Sequence, residues 1–308
     1  MSRTDKDLPA PAHIWRDIFY TVHDGLRLYA RDYGDRKSPA LPVICLAGLT
    51  RNSKDFHDIA VHLSRERRVL ALDYRGRGRS EYANDWKSYN PLVELADTLA
   101  LLAREGIEEA AVIGTSRGGL LAMLMAAVRP AGLKAVILND IGPEIASEGL
   151  LRIRGYLQHA PGPSHWHDAQ DHLKKTNPGF RNLTESQWMA FARRIFRDVR
   201  GKAWIDYDPN LRKTFLSYDD IIKGRIPTLW PQFAAMSAIP ALVIRGQNSD
   251  LLTVETLSKM RKLKPGLKTI TVPDRGHTPF LTENGLFQAI ETLIKKADPH
   301  HQSVSTRK

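Results

Sequence analysis

The chain has 308 residues, 42% of them hydrophobic and 26% charged, with 21 Gly, 18 Pro and one cysteine. That is ordinary globular material for one large domain or two smaller ones, and it excludes collagen-like, low-complexity and disulfide-stapled classes. The formal net charge is +11, but the cations (Arg152, Arg154, Lys174, Lys175, Arg193, Arg194 and Arg197 among them) are spread along the chain, so they read as solvated surface and no nucleic-acid partner is expected.

The first dozen residues are polar and Pro-bearing, an expected loose arm without the apolar stretch of a secretory signal. No apolar run is long enough to span a bilayer, so no membrane association is expected and the expected location is cytoplasmic. Residues 18–22 and 26–34 flank Asp24-Gly25 and predict a hairpin. Residues 42–48, PVICLAG, predict a strand buried on both faces, with Cys45 inside it as a small hydrophobe. A helical pattern follows through Phe56, Ile59, Ala60 and Leu63, then a second buried strand in 68–76.

Residues 91–104 carry Leu92, Leu95, Leu99 and Leu102 at helical spacing. Strands are predicted in 110–115 and 134–140, around an apolar helix over 118–128 that stops at Arg129-Pro130. Strands alternating with helices in this way predict an α/β fold, a mostly parallel central sheet flanked by helices. From 145 to 235 the rhythm changes to amphipathic helical stretches such as 186–196, and Trp166, Trp188, Trp204 and Trp230 all fall there. Strands at 240–246 and 268–274 and helices at 254–263 and 286–297 then restore it. The expected organisation is a core over 1–144, a helical insertion over 145–235, the core again over 236–297, and a flexible tail over 298–308. His300 and His301 read as part of that tail, not as a metal pair.

The chemistry centres on Gly114-Thr115-Ser116-Arg117-Gly118, a G-x-S-x-G pattern between a buried strand and an apolar helix. A sharp strand-to-helix turn needs Gly where backbones approach closely, and it lifts the serine above the carboxyl ends of the strands. By itself the pattern also fits a Gly-rich turn with an N-cap serine. A serine nucleophile needs a base, and the base needs a carboxylate to orient it. His277 lies after the last predicted strand and Asp250 after the one before it, on the same edge as Ser116 and in the expected order Ser, Asp, His.

On these residues, together with Asp73-Tyr74-Arg75-Gly76-Arg77-Gly78-Arg79-Ser80 and Gly276-His277, the chain resembles the α/β-hydrolase superfamily from about 14 to 297. The resemblance implies that fold, with the insertion as the helical cap roofing the active site. The Asp73–Ser80 stretch is a hallmark of the loop after the fourth strand, and its role is structural. Where the family has His-Gly-x after its third strand, this chain has Ala47-Gly48-Leu49-Thr50. The donor is a backbone amide, so the amides of Leu49 and Arg117 are the expected oxyanion hole, each worth about 3 kcal/mol. Asp140, at a position some members use for the acid, is the alternative to Asp250; otherwise it bonds local amides in the turn before Gly142-Pro143. The Arg117 side chain is expected to point away, and the cap tryptophans to pack, one or two of them lining an acyl pocket.

The function this implies is a serine hydrolase, a carboxylesterase that cleaves a small-molecule ester through an acyl-enzyme, with no cofactor and no metal. Serine at the nucleophile position separates it from the dehalogenases and epoxide hydrolases of similar fold. A carbon–carbon bond hydrolase of ring-cleavage products, perhydrolysis, and lactone or polyester hydrolysis remain open, as does a non-catalytic ligand-binding protein on the same fold. A homodimer is left open.

Overall fold

The opening hairpin is made of β1 (Trp15–Thr21) and β2 (Arg27–Tyr33), paired antiparallel from Trp15↔Tyr33 to Thr21↔Arg27. This computed structural model describes residues 14–299; most of the polar N-terminal arm and the tail with His300 and His301 lie outside the described residues. After the hairpin come β3 (Val43–Leu46), α1 (His57–Leu63), β4 (Val69–Asp73), α2 (Pro91–Arg104), β5 (Ala110–Thr115), α3 (Arg117–Val128) and β6 (Leu133–Asn139). The next segment carries α4 (Ser147–Gln158), α5 (Trp166–Thr176), α6 (Glu185–Ile195), β7 (Phe196–Val199), β8 (Lys202–Ile205), α7 (Tyr218–Ile222) and α8 (Trp230–Ala234). The chain closes with β9 (Ala241–Gly246), α9 (Val254–Leu263), β10 (Lys268–Val272) and α10 (Leu286–Lys296).

Eight strands form one sheet in the order β1-β2-β4-β3-β5-β6-β9-β10, antiparallel through β2·β4 and parallel beyond. Every residue of β3, β4 and β5 is buried, which is why these strands read as unbroken apolar runs: helices cover both faces. Asn90 caps α2 by accepting from the amides of Leu92 and Val93, and Pro91 follows where its missing N–H costs nothing. The parallel strands all run the same way, so the loops after β5, β6, β9 and β10 emerge along one edge.

The segment between β6 and β9 is not purely helical, as its amphipathic pattern predicts. It contains the antiparallel ribbon β7·β8, with Val199 paired to Lys202 and a two-residue turn of Arg200 (φ 53) and Gly201 (φ 80). Two consecutive positive φ values give a type I′ turn, whose twist suits a hairpin. The segment has its own small core, in which Trp188 packs with Phe180 and Phe191, and Phe280 reaches it from the loop after β10. Among the described residues no helix is long and apolar enough to cross a membrane.

Candidate active site

Ser116 sits between β5 and α3 with φ 50 and ψ −112, a backbone region that costs an L-residue about 1–3 kcal/mol. Its flanking glycines make the turn possible. A Cβ on Gly114 would lie 2.5 Å from the Gly118 carbonyl oxygen, and one on Gly118 would lie 2.0 Å from that of Leu46. No other residue fits either place. The turn is held by the Ser116 amide donating to the Asn139 carbonyl at 3.0 Å, which fixes it against the end of β6.

His277, in the loop after β10, meets Ser116 there: its Nε2 is 2.8 Å from Ser116 Oγ. The loop is pinned where Asn139 Nδ2 donates to the Pro279 carbonyl at 2.9 Å. On the far side of the ring, Nδ1 lies 2.8 Å from Oδ2 of Asp140, not from Asp250. This corrects the expected pairing. Asp140 is fully buried, with φ 55, and its carboxylate also accepts from the Gly246 amide and the Ser249 hydroxyl, both at 2.7 Å. The loop expected to supply the acid supplies instead the donors that hold Asp140.

Asp250 has another partner. Arg152, from α4, grips it with Nε and Nη2 at 2.5 and 2.8 Å. Burial pushes the Asp250 carboxyl up, but Arg152 outweighs it and leaves the pKa below its ordinary value. Arg152 is therefore not solvated surface charge. Its carboxylate-matched fork ties the inserted segment to the core beside His277.

The two residues expected to supply oxyanion-hole amides both lie next to Ser116, Arg117 in sequence and Leu49 on the same cavity. Arg117 opens α3, where a first-turn amide has no intrahelical partner. The loop after β3 passes over the serine: a Cβ on Gly48 would lie 3.9 Å from the Ser116 Cβ, and Leu49 comes next. Both residues are anchored through one buried carboxylate that the sequence reading missed. Glu94 of α2 bonds Arg117 Nε at 2.7 Å and pairs with Arg77 at 2.8 Å, and Arg77 Nε donates to the Leu49 carbonyl at 2.8 Å. Burial raises the Glu94 carboxyl, yet Arg117 and Arg77 together bring it below its ordinary value. The available signal was a charged residue on the buried stripe of α2, since Glu94 shares its face with Thr98, Leu101 and Leu102. The Arg117 side chain thus points away from Ser116.

A cavity of about 90 Å³ opens at Ser116 and His277, roofed by Arg152, Ile153 and Tyr156 of α4 and walled by Phe196 and Tyr207. At roughly 10–15 Å³ per water it holds a handful of waters or one small acyl unit. No tryptophan lines it. Trp188 is core, Trp166 lies under the Arg193 guanidinium at 3.6 Å, and Trp230 lies under Lys259 at 4.0 Å. The Asp73–Ser80 stretch is wired into the scaffold: Asp73 accepts from the amides of Ser53 and Arg79 at 2.7 and 2.8 Å. Among the described residues no group of three or more His, Cys, Asp or Glu is placed to hold a metal.

The model of the alpha/beta hydrolase fold family matches residues 42–284. Over 258 residues the chain is 33% identical to the 3-hydroxybutyrate-oligomer hydrolase of Cupriavidus necator, covering 82% of this chain and 87% of that protein. It is 26% identical over 250 residues to the sn-1-specific diacylglycerol lipase ABHD11 of Mus musculus, covering 79% and 76% of the two chains. The crystal structure of an alpha/beta hydrolase from Novosphingobium aromaticivorans matches with a TM-score of 0.84 at 40% identity, covering 92% of this chain and 99% of that one.

Proposed function

We propose that this chain, which belongs to the α/β-hydrolase family, is a serine esterase that cleaves short hydroxyacyl esters, oligomers of 3-hydroxybutyrate being its substrate class. The observation that carries the reading is the unbroken line of hydrogen bonds from Ser116 Oγ through His277 to Asp140, opening on a cavity. In it, His277 Nε2 takes the hydroxyl proton as Ser116 Oγ attacks the ester carbonyl. Asp140 holds the ring in the tautomer with Nδ1–H and stabilises the imidazolium that forms. The Leu49 and Arg117 amides receive the tetrahedral oxyanion. His277 then protonates the leaving alkoxide, and in the second half of the cycle it activates the water that releases the acid.

The cap boundaries, 145 and 235, belong to this reading too: the roof formed by α4 and the β7·β8 ribbon is what limits the acyl group. The narrow cavity favours a two- to four-carbon acyl chain, and the relative named for 3-hydroxybutyrate oligomers supports an acyl unit of that size.

The test is hydrolysis of p-nitrophenyl esters from acetate to decanoate and of the 3-hydroxybutyrate dimer, by wild type and Ser116→Ala. Expected are turnover that falls with chain length, hydrolysis of the dimer, and a loss of at least about 10³-fold in the variant. Wild-type protein inert both to every ester and to a fluorophosphonate probe would sink the reading.

A further inference from the structure

The cavity at Ser116 has a larger neighbour. A space of about 400 Å³ lies beyond it, and the two share Pro161, Ile205 and Tyr207 as a common wall. The ribbon β7·β8 divides them: Phe196 and Ile205 line the inner cavity, while the cross-strand pair Arg197 and Trp204 lines the outer one. The wall is preformed. Ser164 and Ala203 exchange backbone hydrogen bonds at 3.1 and 2.9 Å, and the amides of Gly78 and Asp208 bind the strand leading to Tyr207 into the core at 2.9 and 2.8 Å.

Its chemistry is lopsided. The lining contains Arg197 and Arg212 but no Asp or Glu. Nearby cations are already matched, Arg193 by Asp198 and Lys54 by Asp206. Among the described residues Arg197 and Arg212 have no such partner. Two large aromatics flank them and stay accessible, Trp204 at 37% and Tyr82 at 40% exposure. An apolar, aromatic-sided space with two unmatched guanidinium groups and no acid suits a flexible apolar chain that ends in one anion.

We propose that this outer space is the leaving-group subsite of an oligo-ester and that Arg197 and Arg212 hold its terminal carboxylate, an inference that rests on the esterase reading. An oligomer of a hydroxy acid has a hydroxyl end and a carboxylate end. The unit attacked by Ser116 is the acyl side, which carries the free hydroxyl; the alcohol that departs carries the carboxylate. The Ser116 Oγ–carbonyl bond forms, the bond from that carbon to the ester oxygen breaks, and the oxygen takes the proton His277 removed from Ser116. Water then frees one hydroxy acid, and the chain left in the outer space is one unit shorter with its carboxylate intact.

The experiment compares the linear 3-hydroxybutyrate trimer as free acid and as methyl ester, with wild type and with Arg197→Ala/Arg212→Ala. For the double variant the KM of the free acid should rise about tenfold, while the methyl ester and p-nitrophenyl acetate keep their wild-type kinetics. Monomer should appear from the hydroxyl end in wild type. An unchanged ratio of acid to methyl ester, or equal losses on both, overturns the carboxylate assignment while p-nitrophenyl acetate turnover leaves the esterase reading standing. If wild type turns over no ester, calorimetric titration of the trimer acid and its methyl ester into Ser116→Ala, with and without the double substitution, still decides the subsite. Tighter binding of the acid that the double substitution abolishes supports it, and equal binding refutes it.

Discussion

Two loops at the same edge of the sheet each offer a carboxylate near His277, and they are built in opposite ways. At the end of β6, Asp140 is wholly buried and its acceptors are filled by the Gly246 amide, the Ser249 hydroxyl and His277 Nδ1. After β9, Asp250 is partly open and turned toward Arg152 of the inserted segment. The difference is one of partners, not of position along the chain. A carboxylate that must hold an imidazole needs neutral donors that fix it without taking the charge; one already matched by a guanidinium serves better as a clasp between two parts of the molecule.

The sharpest way to break this comparison is to remove each carboxyl charge in turn. Asp140→Asn should lower kcat/KM on p-nitrophenyl acetate by about 10⁴-fold, because the amide favours the wrong imidazole tautomer, while Asp250→Asn should cost less than about tenfold. The reverse ranking would return the acid role to Asp250.

Next in size is the pair of arginines around Glu94, Arg77 buried and Arg117 partly so. Glu94→Gln leaves Arg77 and Arg117 without their common counter-charge, and denaturant unfolding should show a loss of about 3 kcal/mol. A midpoint within error of wild type would mean that the two anchors of the Leu49 and Arg117 amides do not depend on it.

Cutting the clasp should do less. Arg152→Ala is expected to lower stability by about 1–2 kcal/mol, since both partners of the pair keep some solvent, and to raise KM more than it lowers kcat. A fall in kcat as deep as that of Asp140→Asn would show that Arg152 shapes the histidine itself.

The smallest effect is one of pH. The folded pKa of Asp250 is depressed, so its pair adds stability that is present above the ordinary value of 3.8 and is lost as pH falls through the lower folded value. Stability measured from pH 5 down to 2 should therefore fall less steeply in Asp250→Asn than in wild type. Equal slopes would remove the pair from the acid-unfolding transition.

Most of the frame was legible because its signals are local. The apolar runs of β3, β4 and β5 demand burial on both faces, and the spacing of Gly114, Ser116 and Gly118 demands a turn too tight for side chains. His277 could be located from its loop alone. What was not legible depends on contacts across long sequence separations. Whether Asp140 or Asp250 meets the histidine is decided by Arg152, about a hundred residues from Asp250, and by Ser249, whose hydroxyl accepts from the Leu252 amide of its own turn and also donates to Asp140. The ribbon β7·β8 was masked because its turn is Arg200-Gly201, without the Asn or Asp that usually announces a type I′ hairpin. The tryptophans scatter instead of lining the cavity at Ser116: Trp188 packs in the inserted segment's core, Trp230 against the main core under Lys259, Trp166 under Arg193, and Trp204 at the outer space.

The Arg77–Glu94–Arg117 group, described above as an anchor, is also a source of field. Two guanidinium charges share one carboxylate, so the group keeps a net charge of about +1 in a nearly dry interior, where charge is felt over longer distances than in water. It sits behind Leu49 and Arg117, the two residues whose amides receive the oxyanion in the proposed reaction. In that proposed reaction the ester is neutral as it binds and becomes an anion only as the serine bond forms, so the same buried charge would be nearly indifferent to the resting substrate and attractive to the state that follows. On the esterase reading, part of the selectivity for that state is built into the scaffold before any ligand arrives.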